Sequence, residues 1–148
     1  MPIDDPVLKK RLFSRQYHPN GDLKSEGWLC MSQKEGYWKY YYPSGTLSSK
    51  GHYNKNQRSG YWYFFNPDGS LIKEGHFKHD HAENWWIFYE IGRQEKSKIQ
   101  FKNNKKNGFS LRYNKNRLIR VEKYIDDIKT GEWTSLYQFK IDNPNVSF

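Results

Sequence analysis

Cysteine, methionine and alanine are scarce in this 148-residue chain, and no long apolar run occurs in it. Cys30 is the single cysteine, which excludes a disulfide within one chain and leads us to expect a reducing, cytoplasmic location. The N-terminal sequence MPIDDPVLKKRLF lacks the apolar stretch of a signal peptide, and no segment reads as a transmembrane helix. The shortage of alanine and methionine, which favour helices, argues against an all-α fold.

Aromatic residues supply much of the apolar content instead. The chain has 12 Tyr, 9 Phe and 6 Trp, whereas aliphatic residues are few. Aromatic residues favour strands, and Tyr and Trp bury best where one end of the ring stays in contact with water. We therefore expect an all-β protein with much exposed surface rather than a closed aliphatic core.

The chain is basic, with a formal net charge of +9 from 25 Lys and Arg against 16 Asp and Glu. The basic residues are spread along the sequence and often sit beside Asn, as in NKNQR, FKNNKKNG and YNKNR. Such segments are typical of solvated turns. A preference for an anionic partner is the alternative interpretation of the same charge.

The sequence repeats itself every 24 residues. The phrase GYWKYYYPSGTLSSKGHY, residues 36–53, returns as GYWYFFNPDGSLIKEGHF, residues 60–77. Several columns keep this spacing: Trp38, Trp62 and Trp86; Leu23, Leu47 and Leu71; Gly27, Gly51 and Gly75; and Gly21, Gly45 and Gly69. Five units and a partial sixth can be followed over residues 12–137. A fixed period of this length indicates a repeat architecture in which neighbouring units bury one another.

Each unit predicts a β-hairpin. Pro43 and Gly45 mark a turn between two strands of roughly 6–7 residues, and the following Lys/Asn segment turns the chain into the next unit. The prediction is one elongated, twisted, solenoid-like antiparallel sheet of about 10–12 strands. Residues 1–11 are expected to form a cap or short helix, and residues 138–148 a C-terminal tail.

The alternation of side chains predicts a register. We expect Trp38 to face Gly51, Gly36 to face Tyr53, and Tyr42 to face Leu47, with a ring covering the strand glycine. The better-buried face would then carry Trp38, Tyr40, Tyr42, Leu47, Gly51 and Tyr53. The other face would carry Tyr37, Lys39, Tyr41, Lys50 and His52.

The unit resembles the MORN repeat variant family, whose pattern is roughly Gly-x-Trp-x-x-Tyr-Tyr-x-x-Gly-x-Leu-x-x-x-Gly-x-Tyr. The matching residues are Gly36, Trp38, Tyr41, Tyr42, Gly45, Leu47, Gly51 and Tyr53, and then Gly60, Trp62, Phe65, Gly69, Leu71, Gly75 and Phe77. The resemblance implies an antiparallel repeat sheet and a binding role without catalytic residues. Bacterial proteins of this kind include YwqK-type antitoxins, so a cognate toxin is one implied partner.

The sequence offers little for catalysis or for a cofactor. His79, Asp80, His81 and Glu83 lie close together, and a metal site there is one interpretation, but other units carry Lys and Asn in the same turn. We therefore favour a solvated turn at this position. Glycines follow the turn and strand columns rather than a phosphate-binding loop, and no nucleophile–base spacing is visible. We predict no enzymatic activity and no cofactor.

The second face is the candidate partner-binding surface because it mixes rings with basic side chains, a combination common at protein interfaces. Its candidate residues are Tyr37, Lys39, Tyr41, Lys50, His52, Tyr61, Tyr63, Phe65, His76, Trp85 and Tyr89. We predict a protein–protein interaction scaffold, with an antitoxin or immunity role as the more specific hypothesis. Binding of anionic lipid or single-stranded nucleic acid is the main alternative, and glycan binding a weaker one.

Overall fold

The computed structural model describes residues 10–148, which form one antiparallel sheet of eleven strands followed by a short helix. The cap or helix expected over residues 1–11 lies outside the described residues, except that Arg11 already begins the first strand. The strands are β1 (Arg11–Tyr17), β2 (Leu23–Cys30), β3 (Gln33–Tyr41), β4 (Leu47–Asn54), β5 (Gln57–Phe65), β6 (Leu71–Lys78), β7 (His81–Glu90), β8 (Glu95–Lys102), β9 (Lys105–Asn114), β10 (Arg117–Ile125) and β11 (Ile128–Trp133).

Each strand pairs only with its neighbours in the sequence, so the sheet is an open series of hairpins. The predicted fold class and the number of strands are confirmed. The strands run to 6–10 residues and most exceed the expected 6–7, because six of the ten turns use only two residues.

Longer and two-residue turns alternate from β1 to β9, and the last two turns of the sheet are both two-residue turns. The Pro-x-Gly turns place Gly21, Gly45 and Gly69 at φ of +90°, +88° and +88°, where only glycine is free of strain. The two-residue turns, three of which lie in Lys/Asn segments, have both residues at φ between 45° and 69°; they occupy residues 31–32, 55–56, 79–80, 103–104, 115–116 and 126–127. This is the geometry of a type I′ turn, which matches the twist of the strands it joins.

The second residue of four of these turns also ties its repeat to the preceding one. Asn56 N–H donates to Lys34 O at 3.0 Å, and Lys34 N–H donates to Asn56 Oδ1 at 2.7 Å. The same pair of bonds recurs one period later between Asp80 and Arg58. Equivalent bonds are made by Asn104 and Asp127. The segments that sequence analysis treats as solvated turns therefore form a hydrogen-bonded ladder along one end of the sheet.

Gly36 and its equivalents at 24-residue spacing have a backbone role, although the sequence pattern assigns Gly36 to side-chain packing. Gly36 does pair with Tyr53, as predicted, but it has a φ of +71° and lies where the β2–β3 register shifts. Gly60, Asn84 and Gly108 repeat this positive φ at 24-residue intervals, and Asn tolerates it better than most residues. The column therefore marks a β-bulge in each unit.

Each tryptophan of the repeat covers a glycine of the strand before it. Trp38 pairs with Gly51 as predicted, but its ring lies over Gly27, and the ring of Trp62 lies over Gly51. A Cβ atom at Gly51 would stand 2.2 Å from Trp62 Cδ2. The indole N–H of Trp62 donates to His52 O at 3.0 Å, a bond that Trp38 and Trp86 also make in their own units.

The predicted pairing of Tyr42 with Leu47 is wrong. Tyr41 pairs with Leu47, because the β3–β4 register shifts between Tyr40 and Tyr41, and Tyr42 lies beyond the end of β3. The Tyr42 hydroxyl donates to Phe65 O at 2.6 Å in the next unit. Close to the Pro-x-Gly turn, the strand therefore bulges rather than continuing its regular alternation.

The core has two clusters on opposite faces of the sheet. On the tryptophan face, Trp62, Phe77 and Trp86 form the first cluster, and Trp38, Trp62 and Trp86 are only 1–3% exposed. The second lies on the other face at the C-terminal end and consists of Leu111, Val121 and Phe139, packed by the helix α1 (Leu136–Asp142). A single sheet is thus covered on one face by its own rings and on the other, over part of its length, by α1.

Candidate protein-binding surface

The eleven candidate residues lie on β3–β7 and share one face of the eleven-stranded sheet, and we call this whole face, from β1 to β11, the tyrosine face. Tyr37 pairs with His52 and Lys39 with Lys50 across the β3–β4 hairpin. Lys50 in turn pairs with Tyr63 of β5, whose ring its ammonium group approaches to 5.3 Å. This face is opposite the tryptophan face because side chains alternate along each strand.

Edge-to-face ring pairs recur on this face in successive hairpins. Tyr37 and His52 have ring centroids 4.9 Å apart, and Tyr61 and His76 repeat the contact at 4.8 Å. A third pair, Phe13 with Trp28 at 5.1 Å, was not predicted from the sequence. The 24-residue spacing could have found it, because residue 13 falls in the column of Tyr37 and Tyr61.

Two carboxylates, which sequence analysis also missed, anchor the tyrosine hydroxyl groups. Glu74 accepts hydrogen bonds from Tyr61 at 2.7 Å and from Tyr89 at 3.2 Å. Glu26 takes the same place in an earlier unit, accepting from Tyr41 at 3.1 Å and from Arg15 at 3.4 Å. Burial and then these carboxylates raise the pKa of each of the three tyrosines, so the hydroxyl groups remain protonated donors.

The unit that repeats every 24 residues in the sequence also repeats as a hairpin in the structure. The model of the MORN repeat variant family matches residues 14–27, 34–55 and 58–79. Residues 14–79 therefore contain three repeats of the MORN variant type. No curated protein matches the chain. Repeats of this family generally serve as binding motifs, which agrees with a non-enzymatic scaffold.

The three matched MORN repeats correspond to β1–β6 and carry the half of the tyrosine face that residues 136–148 do not cover, which we call the uncovered half. Strands β7–β11 carry the covered half, where residues 136–148 pack on the sheet. The centroid of the Phe148 ring lies 6.1 Å from that of Trp85, so this candidate marks the border between the halves. A cleft of 550 Å³ follows that border and includes Tyr61 and His76.

One row of side chains on this face runs across the sheet from β1 to β11, and it changes from mainly charged to mainly apolar at the border between the two halves. In the uncovered half the row is Arg15, Glu26, Lys39, Lys50, Tyr63 and Glu74. It continues in the covered half as Ile87, Lys98, Leu111, Val121 and Trp133. The covered half is therefore mainly apolar and matches α1, whereas the uncovered half is charged and suits contact with another polar surface.

The remaining candidates have definite places. Phe65 stacks on Tyr63, with ring centroids 6.4 Å apart and an interplanar angle of 17°. The histidine-rich turn connects two repeat units: Asp80 accepts from Arg58, and Glu83 accepts from the Asn103 N–H. Within residues 10–148, no group of three or more His, Cys, Asp and Glu side chains could hold a metal ion.

Proposed function

We propose that this chain is a protein–protein interaction scaffold whose partner binds the uncovered half of the tyrosine face. The observation that carries the proposal is the division of this face. The chain covers the apolar half with residues 136–148, while β1–β6 present rings and basic side chains to solvent. Exposed aromatic rings among charged side chains are common at protein interaction sites.

The exposed rings support this location. Phe13, Trp28 and Tyr37 are 39%, 41% and 39% exposed, although each belongs to an edge-to-face pair. Rings held in such pairs have little conformational freedom to lose on binding, which favours affinity. Tyr and Trp are also the residues that most often act as binding hot spots.

Charge indicates the kind of partner surface that would fit. Lys39 and Lys50 stand directly opposite each other, a pairing of like charges that is unfavourable in the free protein. The nearby carboxylates Glu26 and Glu74 are already engaged by tyrosine hydroxyl groups. An acidic side chain of a partner between the two lysines would relieve their repulsion. A toxin from a bacterial, cytoplasmic toxin–antitoxin pair is the specific partner we put forward.

The test is affinity capture from the native cell with a matched pair of charge-reversal variants. Lys39→Glu/Lys50→Glu is expected to lose the captured partner, whereas Lys102→Glu/Lys105→Glu is expected to keep it. The control pair also stands directly opposite across a hairpin, but it lies at the exposed turn beside residues 103–104. Equal loss in both variants, or in neither, would argue against recognition through the tyrosine face.

Binding of anionic lipid or single-stranded nucleic acid is the competing function. It draws on the net charge of +9, but several cations are already in contact with rings of the tryptophan face. Lys34 Nζ lies 5.0 Å from the centroid of Trp38, the Arg58 guanidinium 4.0 Å from Phe77, and Lys73 Nζ 4.9 Å from Phe64. Retention on heparin or anionic liposomes that falls steeply with salt would favour this alternative.

A further inference from the structure

Near the start of β3 and again near the start of β7, a glutamate side chain accepts a hydrogen bond from a backbone N–H in a turn of the next unit. Glu35 Oε2 accepts from the Lys55 N–H at 3.0 Å, and Glu83 Oε1 accepts from the Asn103 N–H at 3.0 Å. Lys55 and Asn103 are each the first residue of a two-residue turn with positive φ. Two units 48 residues apart thus position a carboxylate oxygen on the same turn amide.

The unit between them breaks this arrangement. Its acceptor position is Ser59, whose side chain is two bonds shorter than that of glutamate, and the corresponding turn amide belongs to His79. Within the part of the chain that the structure describes, no acceptor is bonded to the His79 N–H. Because the turn has the same backbone conformation as its neighbours, this amide is directed as the Lys55 and Asn103 amides are.

The surroundings of this amide suit an anion. A cleft of 640 Å³ includes Ser59 and His79 together with Lys55 and Lys78. Its one carboxylate belongs to Glu83, which already accepts from Asn103. The cleft therefore has two ammonium groups that can balance the charge of an incoming carboxylate.

We propose that this cleft binds a carboxylate group, one oxygen of which accepts the His79 N–H in the place that Glu35 and Glu83 take in the adjacent units. The carboxylate belongs either to an acidic side chain of a partner protein or to a free small molecule. The site lies at the turn end of the sheet and does not depend on the proposed role of the tyrosine face. Both side chains that accept this amide at 3.0 Å are carboxylates, whereas the neutral amide oxygen of Asn107 lies 3.4 Å from the equivalent Asp126 nitrogen.

The experiment follows the backbone amides of the full chain by ¹⁵N–¹H NMR during titration with sodium acetate, with sodium chloride as the ionic control. The His79 amide proton is expected to move downfield and to saturate with acetate, and to move little with chloride. Ser59→Glu supplies the carboxylate from within the chain, so the response should be lost. Ser59→Ala keeps the short side chain and should retain it.

A second variant tests the site by creating it elsewhere. Glu83→Ser removes the acceptor of the Asn103 amide, which should then acquire an acetate response of its own. The proposal is overturned if His79 does not respond to acetate, responds equally to chloride, or still responds in Ser59→Glu. It is also overturned if Glu83→Ser folds but leaves Asn103 unresponsive.

Two further titrations distinguish the sources of the carboxylate. A blocked tripeptide with a central glutamate represents a partner's side chain, and its glutamine version is the neutral control. Tighter binding of the glutamate peptide than of acetate assigns the site to a protein partner. Equal or weaker binding assigns it to a free carboxylate.

Discussion

Replacing Gly51 by alanine probes how one repeat holds the next. The new Cβ would stand 2.2 Å from Trp62 Cδ2 and 2.4 Å from Cε2, where carbon atoms normally approach to about 3.5–4 Å. The indole must withdraw, and its 3.0 Å hydrogen bond to His52 O must break or bend. Overpacking costs about 1–3 kcal/mol and a lost hydrogen bond about 1 kcal/mol, so we expect a loss of about 2–4 kcal/mol in the free energy of unfolding.

A double-mutant cycle isolates the contact responsible. Trp62→Ala alone should cost about 3–5 kcal/mol, the usual range for removing a buried tryptophan. In Gly51→Ala/Trp62→Ala there is no ring left to displace, so the double variant should be about as stable as Trp62→Ala. The coupling energy should then nearly equal the cost of Gly51→Ala. Urea unfolding followed by circular dichroism measures all four proteins, with equal m values as the check on two-state behaviour.

The control cycle uses Trp38, which pairs with Gly51 in the register but lies over Gly27. Gly51→Ala and Trp38→Ala should therefore be nearly additive. Coupling to Trp38 in place of Trp62 would refute the geometry of the structure and restore the arrangement expected from sequence. Additivity in both cycles would mean that no indole covers this glycine.

Three further results are expected. Phe139→Ala should destabilise the chain by about 3–5 kcal/mol in urea unfolding, because this ring is 2% exposed, whereas Tyr137→Ala, at a position 77% exposed, should change little. The pKa of Tyr124 is raised to about 12, first by the hydrogen bond of its hydroxyl to a carboxylate and then by burial. The contribution of this tyrosine to the free energy of unfolding should therefore be fully present below pH 10 and be lost as the pH rises toward 12. A phenol titration at 295 nm that gives Tyr124 an ordinary pKa would contradict this. Burial alone would raise the pKa of Asp80, but the hydrogen bonds and ion pair with Arg58 outweigh burial and lower this pKa. The stability contributed by the ion pair is therefore present above about pH 4 and is lost as the pH falls. Asp80→Asn should flatten the acid side of a plot of melting temperature against pH, and an unchanged slope would count against the ion pair.

The 24-residue periodicity was enough to predict the sheet, because the residues that recur at one position of the repeat have the same structural role in each unit. The spacing of Trp38, Trp62 and Trp86 placed the tryptophan face, and Pro43 with Gly45 placed the hairpin turns. These features are local to one unit or repeat without change. A strand pattern with a fixed period therefore contains enough information for the fold.

What the sequence could not give depends on bulges and on contacts between units. The positive φ of Gly36 shifts the register, and the shift decides which glycine a ring covers. The hydrogen bonds that link successive turns could not be predicted either. In the sequence Asn56 is an ordinary turn residue, and only the structure shows that its side-chain oxygen accepts the Lys34 N–H. The packing of Phe148 on Trp85 could not be predicted because residues 138–148 match no repeat.

The sequence predicted which residues share the candidate surface, but it did not predict how much of that face the C-terminal residues cover. Alternation placed Tyr37, Lys39 and His52 on one face, because side chains of a strand point to opposite sides in turn. The division of that face could not be foreseen, since it depends on where α1 packs. Glu26 was missed for a similar reason: its role depends on the hydroxyl of Tyr41, which lies 15 residues away in the sequence on the neighbouring strand.

Hydroxyl-radical footprinting of the chain, free and bound to its captured partner, tests recognition through the tyrosine face most directly. Oxidation of Trp28 and Tyr37 should fall in the complex, because both rings are exposed in the uncovered half. Tyr137 on α1 is also exposed and should be oxidised equally in both states. Protection of Tyr137 with unchanged oxidation of Trp28 and Tyr37 would place the partner elsewhere and contradict the proposed binding surface.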